Sequence, residues 1–219
     1  MGLEHQRGNI NTMKRKFCSF EIKKFGFELL LFVVLGLASF ISLAGEASNS
    51  VHIPIGIGIV EQVQFPNADS DVMGLRFSFL YDRNANVSGL DFGILGCGVD
   101  GCLFGMQLSV LLNNIGSANG ALQIAGVANN CLEDFYGIQL AGVANKTDGN
   151  VYGGQLALFN ITNDMAGTQI GIYNQANNAL GIQIGVINVT NDMKGIQLGV
   201  FNVIKNAPLP YMPIINANF

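Results

Sequence analysis

From Gly105 to Asn202 apolar and polar side chains alternate in one eight-residue phrase that keeps returning. Its best copies are Gly181-Ile182-Gln183-Ile184-Gly185-Val186-Ile187-Asn188 and Gly195-Ile196-Gln197-Leu198-Gly199-Val200-Phe201-Asn202. The central glutamine stands at Gln107, Gln123, Gln139, Gln155, Gln169, Gln183 and Gln197, spaced by 16 residues three times and then by 14 residues three times. A fixed period marks one structural unit copied in tandem, each copy relying on its neighbours to bury its inner face. Within a copy the pattern has period 2: Ile196, Leu198 and Val200 fall on one face, and Gly195, Gln197, Gly199 and Phe201 on the other. That is strand alternation, not a helical stripe. Between copies lie short polar segments such as Thr162-Asn163-Asp164 and Thr190-Asn191-Asp192, whose side chains favour tight turns. The 16-residue copies, such as Gly137 to Asn145, carry an extra residue before the asparagine, which a bulge inside the strand would absorb.

An all-β fold follows, and two architectures fit it. The first is an antiparallel meander closed into an outer-membrane-type barrel of about 11 or 12 short strands, with Ile, Leu and Val facing lipid and Gly and Gln facing the lumen. The second is a β-solenoid with 14–16-residue coils that stack Gln on Gln and Asn on Asn. In that case the Ile, Leu and Val face is expected inside, packed as a core, and the glutamines outside in water. The constant period favours the solenoid, since nothing makes successive turns of a meander alike. Before the repeats, Ile53 to Val60 alternates around Pro54 and reads as an edge or barrel-closing strand. Two degenerate copies follow, Gly74 to Tyr81 and Gly89 to Leu95, with Arg76 and Asp91 in the glutamine position, where they can pair across adjacent strands. The closing segment Leu209 to Phe219 alternates again and is broken by Pro210 and Pro213; its terminal Phe resembles the insertion signal of outer-membrane barrels.

The amino-terminal region is of another kind. Lys14, Arg15, Lys16, Lys23 and Lys24 precede an apolar run from Leu29 to Leu43 and the small residues Ala44, Gly45 and Ala47. Basic, apolar, then small is the order of a secretory signal peptide, here residues 1–46, with Met13 an alternative start. A single repeat-built domain, 47–219, would remain after cleavage. It keeps five Lys or Arg against eleven Asp or Glu. Phosphate binding needs clustered cations, so nucleic acid is not an expected partner. Charges make up about 9% of this domain, against ~25% in an ordinary soluble domain. Something besides charge must solvate its surface: either membrane lipid, the expected partner, covers much of it, or ladders of Asn, Gln and Gly do.

Export would place Cys97, Cys102 and Cys131 where disulfides form. Cys97 to Cys102 reads as a hairpin turn with a thiol on each arm, so these two are the disulfide candidates. A zinc site would need four Cys or His ligands at short spacing, and no metal or other cofactor is expected. The triplets Asn145-Lys146-Thr147, Asn160-Ile161-Thr162 and Asn188-Val189-Thr190 match the glycosylation sequon, but they recur at one repeat position, where turn chemistry accounts for them. Glu133-Asp134 has no His or Ser nearby, and no catalytic constellation appears, so no enzyme activity is expected. Taken together, the leader, the degenerate copies, the Gly-x-Gln-x-Gly-x-x-Asn repeats and the ending Pro210 to Phe219 resemble a family of exported bacterial surface-repeat proteins of unassigned function. The resemblance covers 51–219 and implies an outer-membrane or cell-surface location. The expectation is a non-enzymatic structural surface protein, pore-like if it is a barrel, or a soluble exported adhesive or binding surface if it is a solenoid.

Overall fold

The computed structural model describes residues 53–219; the expected leader lies outside them, as do Val51 and His52. Fifteen strands, from Ile53–Val60 to Tyr211–Asn218, join one sheet that winds about ten times around a single axis. The protein is a β-solenoid, not a barrel. Nearly every pairing is parallel and joins a residue to its counterpart one coil later: Gly153 lies beside Gly167, Gly167 beside Gly181, and Gly181 beside Gly195. Antiparallel pairing occurs only at the two ends. Val63–Phe65 folds back on Ile53–Val60. Tyr211–Asn218 runs back along the strand Ile187–Ile204. The first and last strands thus occupy opposite ends of the stack and do not pair with each other, which removes the barrel-closing role expected of them. Their prolines sit where a missing amide interrupts no central ladder.

Each coil is flattened, with two strands and two corners. One strand carries the glutamine, as in Ile182-Gln183-Ile184, and the other the asparagine, as in Ile187-Asn188-Val189. The corner between them is the apolar Gly185-Val186, and the return corner is the polar Asn191-Asp192. A register shift between Asn119 and Ala121 does place one extra residue inside the strand before Gln123, but in the copy around Gln139 no bulge is used. From Gln139 to Asn145 there is one residue more than from Gln183 to Asn188, and from Asn145 to Val151 one more than from Asn188 to Met193. The two extra residues enlarge one corner each, and Gln139, Asn145 and Val151 stay aligned with Gln155, Asn160 and Met165. Buried Ala125 and Ala141 fill the enlarged apolar corner.

The sidedness expected of a solenoid is reversed. Gln107, Gln123, Gln139, Gln169, Gln183 and Gln197 are all 0% exposed and Gln155 is 2% exposed, while Ile182, Ile184, Val186, Leu198 and Val200 are exposed. The interior is narrow, and its apolar part comes from another column. Val151, Met165, Ala179 and Met193 lie beside the glutamines, and Phe135, Leu103 and Ile115 fill the earlier coils.

A glycine stands two residues before every repeat glutamine except Gln123, where Ala121 takes its place, and this column stacks closely from coil to coil. Gly181 has φ of +133°, and a Cβ there would overlap the carbonyl oxygen of Gly167 on the preceding coil. Gly181→Ala is therefore expected to cost at least ~1–3 kcal/mol, the usual penalty for a residue held in a glycine-only conformation. A melting temperature within a degree or two of wild type, followed by circular dichroism, would show that the column tolerates a side chain.

Candidate functional surfaces

The seven repeat glutamines form one continuous interior column. Each of Gln123, Gln139, Gln155, Gln169, Gln183 and Gln197 donates its Nε2–H to Oε1 of the glutamine one coil earlier, at 2.7–2.9 Å. Opposite it, the Nδ2–H groups of Asn113, Asn129, Asn145, Asn160, Asn174 and Asn188 donate to the asparagine one coil later, at 2.8–3.0 Å. The two amide columns run in opposite directions, so their dipoles oppose each other across the core. Most of these asparagines also donate to a carbonyl of the facing strand, as Asn188 does to Leu198 O at 3.0 Å, which ties the apolar corner shut. Amide ladders of this kind satisfy buried polar groups that would otherwise cost several kcal/mol each. The column ends remain open: Gln197 Oε1 and Asn113 Oδ1 are buried without a partner.

At its amino-terminal end the glutamine column meets an ionic cluster. Gln107 Nε2 donates to Asp91 Oδ2 at 2.8 Å. Arg76, 0% exposed, grips the same carboxylate through Nε at 2.8 Å and Nη2 at 2.6 Å, and its Nη1 donates to Asn84 Oδ1 and Gly98 O. Burial works against the Arg76 charge, but the Asp91 carboxylate, with Asp82 behind it, outweighs burial and raises its pKa further. Burial raises the Asp82 carboxyl above its usual range, against the pull of Arg76. A cluster so enclosed presents no atom to a substrate. It continues the glutamine column with charged groups, the cross-strand pairing expected for Arg76 and Asp91.

The disulfide candidates do not pair. Cys97, Cys102 and Cys131 are free thiols, and Cys97 to Cys102 is not a hairpin. Both residues belong to one strand, Gly96–Ser109, which carries the chain round the polar corner. Cys97 points into the core, where burial foremost and Asp91 next raise its pKa, and Cys102 is half-buried beyond the corner. Cys131 is also inside, pushed up to about 12 by burial. Among the described residues no group of His, Cys, Asp or Glu could hold a metal ion. The sequon residues Asn145, Asn160, Asn188, Thr147, Thr162 and Thr190 are buried strand residues, not turn residues, and a glycan could not be attached to these asparagines in the folded chain.

The outer surface is divided lengthwise. Along the apolar corner Leu95, Leu111, Val127, Val143, Leu158, Ile172, Val186 and Val200 form a ridge, one residue per coil, each from 37% to 55% exposed. At the parallel-strand spacing of ~4.8 Å the ridge is about 34 Å long. It is flanked by Leu108, Leu156, Ile170, Ile184 and Leu198 on one side and by Leu112, Phe159 and Phe201 on the other, all exposed. At its amino-terminal end an apolar groove of about 310 Å³ lies between Phe77, Phe79, Phe92, Ile94, Leu108 and Val110. The backbone of the ridge is paired from coil to coil, with Val143 N–H donating to Val127 O, Ile172 to Leu158 and Val186 to Ile172. From Asp100 onward every charged side chain lies at or beside the opposite, polar corner: Asp100, Glu133, Asp134, Lys146, Asp148, Asp164, Asp192, Lys194 and Lys205.

No protein-family model, curated protein or solved structure matches the chain.

The functional reading therefore rests on this division of the surface. Among the described residues no helix is long and apolar enough to cross a membrane. Sequence alternation finds the Ile and Leu columns but not the side they take. The signal that could have placed them is the glutamine: repeated in register at the parallel spacing of ~4.8 Å, each amide can donate to one neighbour and accept from the other, so the column can be satisfied inside.

Proposed function

We propose that this protein is an exported, non-enzymatic surface solenoid that lays its apolar ridge in the interfacial region of a membrane and holds its polar edge outward as a binding surface. The observation that carries this reading is the outward-facing ridge of half-exposed Leu, Ile and Val, which runs most of the length of the stack without a charge. Apolar surface of this extent marks an interaction site, not a free monomer surface. Its composition favours lipid over protein. Protein interfaces carry polar groups that fix a register, about one hydrogen bond per 100–200 Å². This ridge offers the same aliphatic residue coil after coil, which suits a fluid partner with no register to match. Its backbone is already paired, so it can enter an apolar phase without leaving amides unsatisfied. Burial depth and charge segregation follow the logic of interfacial amphipathic helices, transferred to a β-structure. The resemblance of the repeats to exported bacterial surface proteins agrees with this location.

Vesicle flotation tests it. The wild-type protein is expected to float with anionic or zwitterionic phospholipid vesicles. The double variant Leu158→Lys/Ile172→Lys, at two exposed positions, should remain folded by circular dichroism and lose about tenfold or more in vesicle binding, since each buried aliphatic side chain contributes ~1–2 kcal/mol. Flotation unchanged in the double variant, or a wild type that stays in the aqueous layer as a stable dimer, would refute lipid docking.

A further inference from the structure

We infer that the polar edge carries a saccharide-binding groove centred on Tyr152, with a pyranose ring of a neutral linear glycan as its ligand. This goes beyond membrane docking and uses the opposite side of the solenoid. A groove of about 470 Å³ crosses four coils there. One wall is the column Asn150, Asp164, Asn178 and Asp192 at the polar corner; the other side is formed by Tyr152, Ala166, Leu180 and Lys194, and Phe219 closes the end.

The outer column begins as an aromatic stack. The rings of Tyr136 and Tyr152 lie 4.4 Å apart and within 8° of parallel, following the strand pairing of their residues. The next rung is Ala166 and the one after it Leu180, aligned by the same parallel register. The stack therefore stops at Tyr152, whose second face looks over a missing rung. Tyr152 to Leu180 is two coil spacings, roughly 9.6 Å, and leaves room above Ala166 for one ring laid against the tyrosine.

The chemistry around that slot selects the ring. A pyranose presents an apolar C–H face to stack on an aromatic surface and a rim of hydroxyls that need acceptors and donors. The corner supplies both, in alternation along the axis: amides at Asn150 and Asn178, carboxylates at Asp164 and Asp192. Asp164 is held in place by accepting from Asn178 N and Nδ2 through one oxygen, at 3.1 and 2.8 Å, and Asp192 by accepting from Asn206 Nδ2 through one oxygen at 2.8 Å. The second oxygen of each carboxylate remains for an incoming hydroxyl. Two carboxylates against the single Lys194 disfavour a phosphate-bearing base, the other flat ring that could stack on tyrosine. A ring stacked face-on against Tyr152 lies across the solenoid axis, so the rest of a linear chain leaves the slot sideways, at an angle to the axis.

The test uses the folded chain and a panel of cello-, malto- and chito-hexaose at millimolar concentration, read by saturation-transfer NMR and by tyrosine fluorescence, since the chain has no tryptophan. At least one oligosaccharide is expected to bind, with saturation transfer strongest on the face of one internal unit. Tyr152→Ala should weaken binding by about tenfold. Ala166→Tyr should extend the stack into the empty rung and abolish binding while the fold is kept; Ala166→Leu serves if the larger ring disturbs folding. No binding by wild type to any member of the panel, or binding that survives both Tyr152→Ala and a filled Ala166 position, overturns the proposal. Preferential binding of a nucleotide in place of the sugars does the same. Vesicle flotation is read separately, so loss of the glycan site leaves the lipid reading standing, and the converse.

Discussion

Replacing Arg76 by Met is expected to destabilise the amino-terminal coils by about 3–5 kcal/mol, the usual cost of leaving a buried charge without its partner. The reason lies in what remains. Asp91 is 0% exposed and would lose both Arg76 contacts, keeping the Gln107 Nε2 donor, while Asn84 Oδ1 and Gly98 O would each lose a donor. Desolvation would then act on the carboxylate with nothing to balance it. A rescue separates charge from packing. The double variant Arg76→Gln/Asp91→Gln puts an amide at both positions and continues the glutamine column by two rungs, so it should recover most of the lost stability. Thermal unfolding of the three proteins, followed by circular dichroism, decides the matter. Arg76→Met within ~0.5 kcal/mol of wild type would show that the cluster is not an ionic end to the ladder.

That experiment addresses a feature the sequence displays only in part. Arg76 and Asp91 stand in the glutamine position of degenerate copies, and their pairing across strands can be read from that alone. Their complete burial cannot. The period, the strand alternation, the stacking of Gln on Gln and of Asn on Asn, and the polar corners are present in the letters; the apolar corner is not, since Gly185-Val186 reads there as the middle of a single strand. Sidedness is not, because a two-residue alternation says which side chains share a face and is silent about which face turns inward. The usual rule that Ile and Leu go inside fails for these columns, since Gln and Asn repeated in register satisfy one another along the axis and so occupy the interior beside Phe135, Met165 and Met193. Cys97 and Cys102 mislead for a related reason. Asp100-Gly101 looks like a hairpin turn, but in a solenoid it is a corner, with the chain moving on to the next coil and not back beside itself. The slot beside Tyr152 was out of reach for a third reason. Tyr136, Tyr152 and Ala166 come together only through the parallel register, 16 and then 14 residues apart, and single copies of the repeat give no hint of the missing rung.

Gln123→Leu tests the reversed interior most directly. Gln123 is 0% exposed, donates to Gln107 Oε1 and accepts from Gln139 Nε2, both at 2.9 Å. Leucine is similar in size but can make neither bond, so two buried groups lose their ladder partners at once. Each such group costs ~1–3 kcal/mol, giving about 2–6 kcal/mol in all. Gain of apolar burial offsets little of this, because the side chain would sit among amides whose bonds it interrupts. Ladder coupling gives a second reading. Gln123→Leu/Gln139→Leu should cost less than the two single substitutions added together, since the bond between the two positions is lost only once and the number of orphaned groups does not double. A glutamine facing a water-filled lumen or bulk solvent behaves otherwise: its neighbours turn to water, and surface substitutions stay within ~0.5 kcal/mol. Melting temperatures of the single and double variants, with strand content checked by circular dichroism, separate the two cases. A wild-type-like Gln123→Leu would place the amides in water and remove the basis for an apolar ridge on the outside.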